Sequence, residues 1–366
     1  MLENEAERHE PCLNSGIQCP AAIAGPRFDQ DHRDTDNDMS KLVKITRRGF
    51  AGALAATAIG GRVARAQSAD KVKVGMFPVS SSLPFYVALD LGYFKELDIE
   101  PEITKLMGGP PNVAALITNQ IEVSAVLVML EGLNANVKKP GVAMFIAMHG
   151  QNPVYRMEQF VAGANSGIKT LADFKGKKLL SSPGPANLNT AKGVLAKIGL
   201  KDGDYTIDQL DQGQHVNAIK AGTFDGGYTL EPSATIMTKM GAGYTVEAGV
   251  IAKYILGDVN ANAYAAGCAF TTEFINARPD VARRFAAGWA KAIDYIRANP
   301  AAARKHLAKN TLTPEDLVDV VPMLGYTMAK DMTPKQRDEL QRFADFGHQI
   351  GVVPEKIDVS KVVKAF

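Results

Sequence analysis

Val72-Lys73-Val74-Gly75-Met76, Phe77-Pro78-Val79-Ser80-Ser81-Ser82 and Leu83-Pro84-Phe85-Tyr86-Val87-Ala88-Leu89 read as a strand, a small-residue loop and a helix. The design returns at Lys178-Leu179-Leu180-Ser181-Ser182, Pro183-Gly184-Pro185-Ala186 and Asn187-Leu188-Asn189-Thr190. Such loops present backbone N–H groups at the positive end of a helix, which suits an anion or another polar ligand. Used twice, the design predicts two lobes with a ligand between them.

Working outward, strand-like runs alternate with helical ones. Residues 99–106 alternate apolar and polar side chains and break at Gly108-Gly109-Pro110-Pro111. Pro111 fits the first turn of a following helix. Residues 123–127 and 142–148 are buried-strand runs. A second lobe opens near Phe160, with a short helix over 171–176 and strands over 205–210 and 226–228. Helices are expected there over 214–221 and 232–240. The chain then returns through 264–271, and the remainder reads as helix alone. In 279–299, apolar Val281, Phe285, Trp289, Ile293 and Ile296 fall at steps of three and four, which places Trp289 in the core. Further helices are expected at Thr313-Pro314 and Thr333-Pro334, with Thr as N-cap. The alternation predicts an α/β chain whose lobes are each a doubly wound, mostly parallel sheet flanked by helices. Residues 67–160 form the first part of lobe one, 161–263 lobe two, and 264–366 the return with C-terminal helices.

Residues 39–66 read as a targeting segment. Thr46-Arg47-Arg48-Gly49-Phe50 resembles a twin-arginine signal, residues 51–60 are apolar, and Ala64-Arg65-Ala66 offers a cleavage site before Gln67. The competing reading is an ordinary secretory signal carrying two arginines. The apolar part is shorter than the ~20 residues that span a bilayer. A periplasmic destination is expected. Residues 1–38 hold nine acids against three arginines, unlike a basic leader, and read as a disordered or non-functional extension ahead of a candidate start at Met39.

Nine basic and nine acidic residues fall in 1–66, so the chain beyond keeps the net charge of +2. Without a long basic run, nucleic acid is excluded as a partner. Cys12 and Cys19 lie in the part expected to be removed, and Cys268 alone rules out a disulfide scaffold. It reads as a small buried hydrophobe. The sequence has no His/Cys cluster at metal spacing, no Gly-x-Ser-x-Gly elbow and no Walker loop. No catalytic residue, metal or cofactor is therefore assigned.

Four pieces in order carry a family resemblance. They are Leu83-Pro84-Phe85-Tyr86-Val87-Ala88-Leu89-Asp90-Leu91-Gly92-Tyr93-Phe94, Gly108-Gly109, Leu171-Ala172-Asp173-Phe174-Lys175-Gly176-Lys177, and the run 218–226 followed by Glu231-Pro232. The chain resembles the substrate-binding proteins of nitrate, sulfonate and taurine importers, which share a fold with thiamine-pyrimidine proteins. The resemblance implies a two-lobed periplasmic binding protein fold of type II-like form. It further implies a monomer that delivers a small-molecule solute to an inner-membrane ABC permease. Two alternatives stand beside it. One is an enzyme like the thiamine-pyrimidine synthases, whose Cys-rich motif this chain lacks; the other is a component presenting ligand to a sensor.

Ligands of open α/β sheets lie at the C-terminal strand ends, here between the lobes. The expected site takes Phe77, Ser81, Ser82 and Tyr86 from the first loop, and Gly109 and Asn112 from the second. Met129 follows the third strand. Lobe two adds Ala186, Asn187, His215, Tyr228 and Glu231. Each has a plainer reading: a polar turn for the serines, core packing for the aromatics, an N-cap for Asn187, a surface position for His215. An ionised Glu231 would oppose an anion unless paired elsewhere, which leaves room for a zwitterion or a neutral heterocycle.

Overall fold

The computed structural model describes residues 68–366, so the expected extension and targeting segment lie outside the described residues. Strands β1 (Asp70–Met76), β2 (Ile99–Lys105) and β3 (Val123–Val128) pair in parallel, with β1 in the middle. After β4 (Met144–Gln151) the chain crosses to a second sheet through β5 (Glu158–Gly163). There β6 (Lys178–Ser181), β7 (Thr206–Gln209) and β8 (Gly226–Leu230) are parallel, and β5 lies antiparallel between β8 and β9 (Gly243–Ala248). β10 (Ala263–Phe270) returns between β3 and β4, antiparallel to both, and β11 (Gly325–Met328) covers the β4 edge. The orders are β11-β4-β10-β3-β1-β2 and β7-β6-β8-β5-β9.

In each sheet the strands that open a βα unit run the same way, as expected. The sheets are nevertheless mixed. A strand that arrives from the other lobe enters at the cleft edge and must run backwards, which is what β5 and β10 do. The short edge strand β11 departs from the all-helical expectation for the C-terminal third.

Helices α1 (Leu83–Asp90), α2 (Gly109–Ile117) and α3 (Met129–Lys138) follow β1, β2 and β3. In lobe two, α4 (Pro185–Lys197), α5 (His215–Lys220) and α6 (Ser233–Lys239) follow β6, β7 and β8. The C-terminal part holds α7 (Thr272–Ala277), α8 (Pro279–Ala298), α9 (Pro300–Asn310) and α10 (Pro334–Gln349). Thr333 caps α10 as expected: its hydroxyl accepts from Gln336 N–H, and the Gln336 side chain reaches back to the Thr333 N–H. Thr313-Pro314 is followed only by a single tight turn, Glu315–Leu317, so the helix expected there is absent.

Trp289 is buried on α8 and stacks near Phe285, as its spacing implied. Cys268 is buried in β10. One hydrophobic cluster runs through both lobes, joining Leu127 and Met129 to Phe160 and Tyr228, with Phe343 and Phe346 of α10. The lobes are therefore closed upon each other. Among the described residues no helix is long and apolar enough to cross a membrane.

Candidate functional site

β1, β4, β5, β8 and β10 bring their cleft-side ends to one small cavity. It is lined by Phe77 and Ser81 from the loop after β1, His149 and Gln151 from the end of β4, Glu158 from the start of β5, and Asn187 from α4. About 20 Å³ is left there for the centres of water-sized groups, which is room for one or two waters. A solute larger than that enters only when the lobes part. Outside it, an open cleft of about 670 Å³ carries Arg156, Arg297 and Arg304, and Leu324 borders both spaces.

Several polar groups at the inner cavity lack partners. Ser81 Oγ and both ring nitrogens of His149 are buried and make no hydrogen bond. The His149 ring lies parallel to Trp289 at 6.1 Å and edge-on to Tyr326 at 5.2 Å. Burial holds its pKa down to about 3, so the imidazole is neutral. Glu158 is fixed by the Tyr228 hydroxyl, which donates to Oε2 at 2.5 Å. Gln151 Oε1 accepts from the Glu158 N–H at 2.8 Å. Burial pushes the Glu158 carboxyl up to about 7, against the Tyr228 hydrogen bond and the nearby Gln151 side chain. Buried polar groups are normally satisfied, so unpartnered hydroxyl and imidazole groups facing a cavity are places for a ligand's own donors and acceptors.

Of the residues expected from sequence, Phe77, Ser81 and Asn187 line this cavity. The others sit elsewhere. Ser82 Oγ is committed to the Val79 carbonyl at 2.6 Å. Tyr86 is buried edge-on against Phe85. Asn112 knits its own loop, donating to Gly108 O at 2.8 Å and accepting from Ser124 Oγ at 2.9 Å. Met129 is in the core. Gly109 and Ala186 open α2 and α4, where the Glu131 carboxyl faces them. Tyr228 reaches the cavity only through Glu158.

Three local readings change. Asn187 is not the N-cap of α4; Gly184 is, and the Asn187 amide donates to Pro183 O at 2.8 Å. His215 is buried rather than at the surface. Its Nε2 donates to Leu210 O at 2.9 Å, so Nδ1 accepts from the Thr229 hydroxyl at 2.7 Å. Burial lowers its pKa to about 4, and the neutral ring is a structural tie. Glu231 is paired elsewhere: Gln159 Nε2 donates to Oε1 at 2.6 Å and Thr235 N–H to Oε2 at 3.1 Å.

His149, Gln151, Glu158 and Glu131 were missed by sequence reasoning. A signal existed for His149 and Gln151. Polar residues end the apolar strand run at 142–148, where the strand-end rule looks for ligand contacts.

A family model described as NMT1/THI5 like matches residues 80–303. The chain belongs to that family. Among curated proteins, none matches it by sequence. Several solved structures share its fold. The alkanesulfonate-binding protein SsuA from Xanthomonas axonopodis pv. citri, bound to MOPS, superposes with a TM-score of 0.65 at 17% identity, covering 81% of this chain and 98% of that one. The periplasmic nitrate-binding protein NrtA from Synechocystis PCC 6803 gives 0.63 at 13% identity, covering 81% and 86%. The desulfurization enzyme DSZB gives 0.58 at 13% identity, covering 81% and 96%. Binding proteins and an enzyme thus share the two-lobed frame, and the site must separate them.

Proposed function

We propose that this NMT1/THI5-like chain is the solute-binding component of an ABC importer. It works in the periplasm after export, closes lobe two (161–263) on lobe one (67–160 and 264–366) around a small polar organic solute, and delivers it to an inner-membrane permease. The observation that carries this reading is the closed cavity at the strand ends, where Ser81 and His149 keep unpartnered polar atoms. Binding there replaces a solute's water shell with groups already in place. The likeness to SsuA, an alkanesulfonate-binding protein, and to NrtA, a nitrate-binding protein, supports the same role.

The cavity favours binding over catalysis. Ser81 Oγ and His149 do not hydrogen-bond to each other, so the contact that activates a serine nucleophile is not formed. Cys268 is buried, and burial raises its thiol pKa well above the usual range, which keeps it unreactive.

A thermal-shift screen of the purified protein tests the reading, using sulfonates, nitrate, taurine, aromatic carboxylates, amines and pyrimidines. A solute held at 100 times its Kd raises stability by about 2.7 kcal/mol. No stabilisation by any class, with the protein folded, removes the proposal.

A further inference from the structure

The first turns of α2 and α4 meet across the cleft, one from each lobe. Neither helix has a side-chain cap or an acidic residue in its first turn. Their N-caps, Gly108 and Gly184, lie at φ 97° and 103°. Pro110 lies against Gly184, and Pro183 against Gly108. Between these two helix ends sits the carboxyl group of Glu131, from the first turn of α3. A Cβ on either Gly109 or Gly184 would overlap it. Glu131 is 4% exposed, and neither oxygen completes a hydrogen bond. Burial pushes its pKa up to about 8, opposed only by the Ala186 N–H at the start of α4.

A buried carboxyl without partners is costly. What surrounds this one is the positive ends of two helices, the environment that proteins otherwise offer to a bound oxyanion. Glycine at both positions leaves room for the group. No Lys or Arg lines the neighbouring cavity, whose one carboxyl is that of Glu158.

Resting on the reading of the chain as a solute receptor, we propose that Glu131 is a specificity-determining residue: its carboxyl group fills the anion site made by the N-termini of α2 and α4, so the protein takes a neutral or cationic solute and turns away sulfonates and nitrate-like oxyanions. An oxyanion using those helix ends must displace Glu131. Moved out of its buried position the carboxyl loses the effect of burial and ionises, and its charge stays in the same cleft, where like charges at short range repel strongly. A neutral heterocycle or an amine meets no such opposition, and Glu158 and His149 offer it polar partners.

The experiment is a calorimetric titration of wild type, Glu131→Ala and Glu131→Ser with sodium sulfate and sodium methanesulfonate at fixed ionic strength. Removing the carboxyl opens the site, so both variants should bind at least about tenfold more tightly than wild type, a change of about 1.4 kcal/mol. Equal affinity in wild type and the folded variants overturns the inference. Should neither variant fold, the wild type still decides. Micromolar binding of methanesulfonate or nitrate overturns the inference and leaves the receptor reading intact. Stabilisation by amines or neutral heterocycles, with no response to oxyanions, supports it. Stabilisation by no solute class removes the receptor reading and this inference together.

Discussion

Ser81 and Ser82 are neighbours of the same type, and only the direction of the side chain separates their roles. Ser81 Oγ faces the cavity without a partner, whereas Ser82 Oγ is bonded to Val79 O. Ser81→Ala should therefore weaken solute binding by about 0.5–1.5 kcal/mol, the worth of one neutral hydrogen bond. Ser82→Ala should leave affinity unchanged. Calorimetry with a solute found by thermal shift checks both, and equal losses would place the loop wrongly. Glu158 supplies a pH signature. Its folded pKa, about 7, lies above the ordinary glutamate value of 4.5. The unfolded chain thus loses that proton first, and stability falls as pH rises from about 4.5 towards 7. Glu158→Gln should flatten that decline, a difference on the order of 1–3 kcal/mol across the window. Urea midpoints measured at pH 4.5, 6 and 7.5 read it out, and parallel profiles would contradict it. Phe77 and Ser81 were legible because they sit in the loop that leaves β1, and Asn187 because it lies in the first turn of the helix that follows β6. Glu131 was not, because nothing in the spacing of Met129-Leu130-Glu131 tells which way a side chain in the first turn of α3 will point.

Helix starts show how local chemistry and packing divide the work. Thr333 and Gln336 form a reciprocal cap that chain neighbours alone can build. Thr333→Ala should cost about 1 kcal/mol, visible as a lower urea midpoint with an unchanged slope. An unaltered midpoint would mean that packing of α10 carries its start. Thr313-Pro314 has the same opening, yet only one turn follows, Glu315–Leu317. Helix nucleation is costly and short helices depend on a buried face, and this turn buries none of its residues. β11 is the converse. Its four residues carry too short a pattern to announce a strand. It forms because β4 presents an open edge, pairing Tyr326 with His149 and Met328 with Ala147. That strand also sets Tyr326 edge-on to His149, so an element invisible in the sequence helps place a cavity residue.

The two lobes are closed over a space too small for an organic solute, and solute exchange requires them to part. Two strands change lobes, β5 and β10, and the segments before them are the natural hinges. Small-angle scattering should show a smaller radius of gyration with a verified solute than without it. An identical radius in both states would count against hinge closure. The targeting segment read from residues 39–66 lies outside the described residues, and export tests it separately. Arg47→Lys with Arg48→Lys should block export if the twin-arginine route is used, and fractionation of cells would show the unprocessed chain retained; unchanged export would leave an ordinary secretory signal. The sequence by itself determined the alternation of strands and helices, the two strand–loop–helix openings, the burial of Trp289 and the lack of a cysteine framework. All of these depend on period, capping and composition, which near neighbours in the chain decide. Only the tertiary structure decided which loop residues turn towards the cavity, that His215 and Glu231 are tied elsewhere, and that Glu131 lies between two helix ends from different lobes. Those facts depend on distances between segments far apart in the chain, which no local pattern encodes.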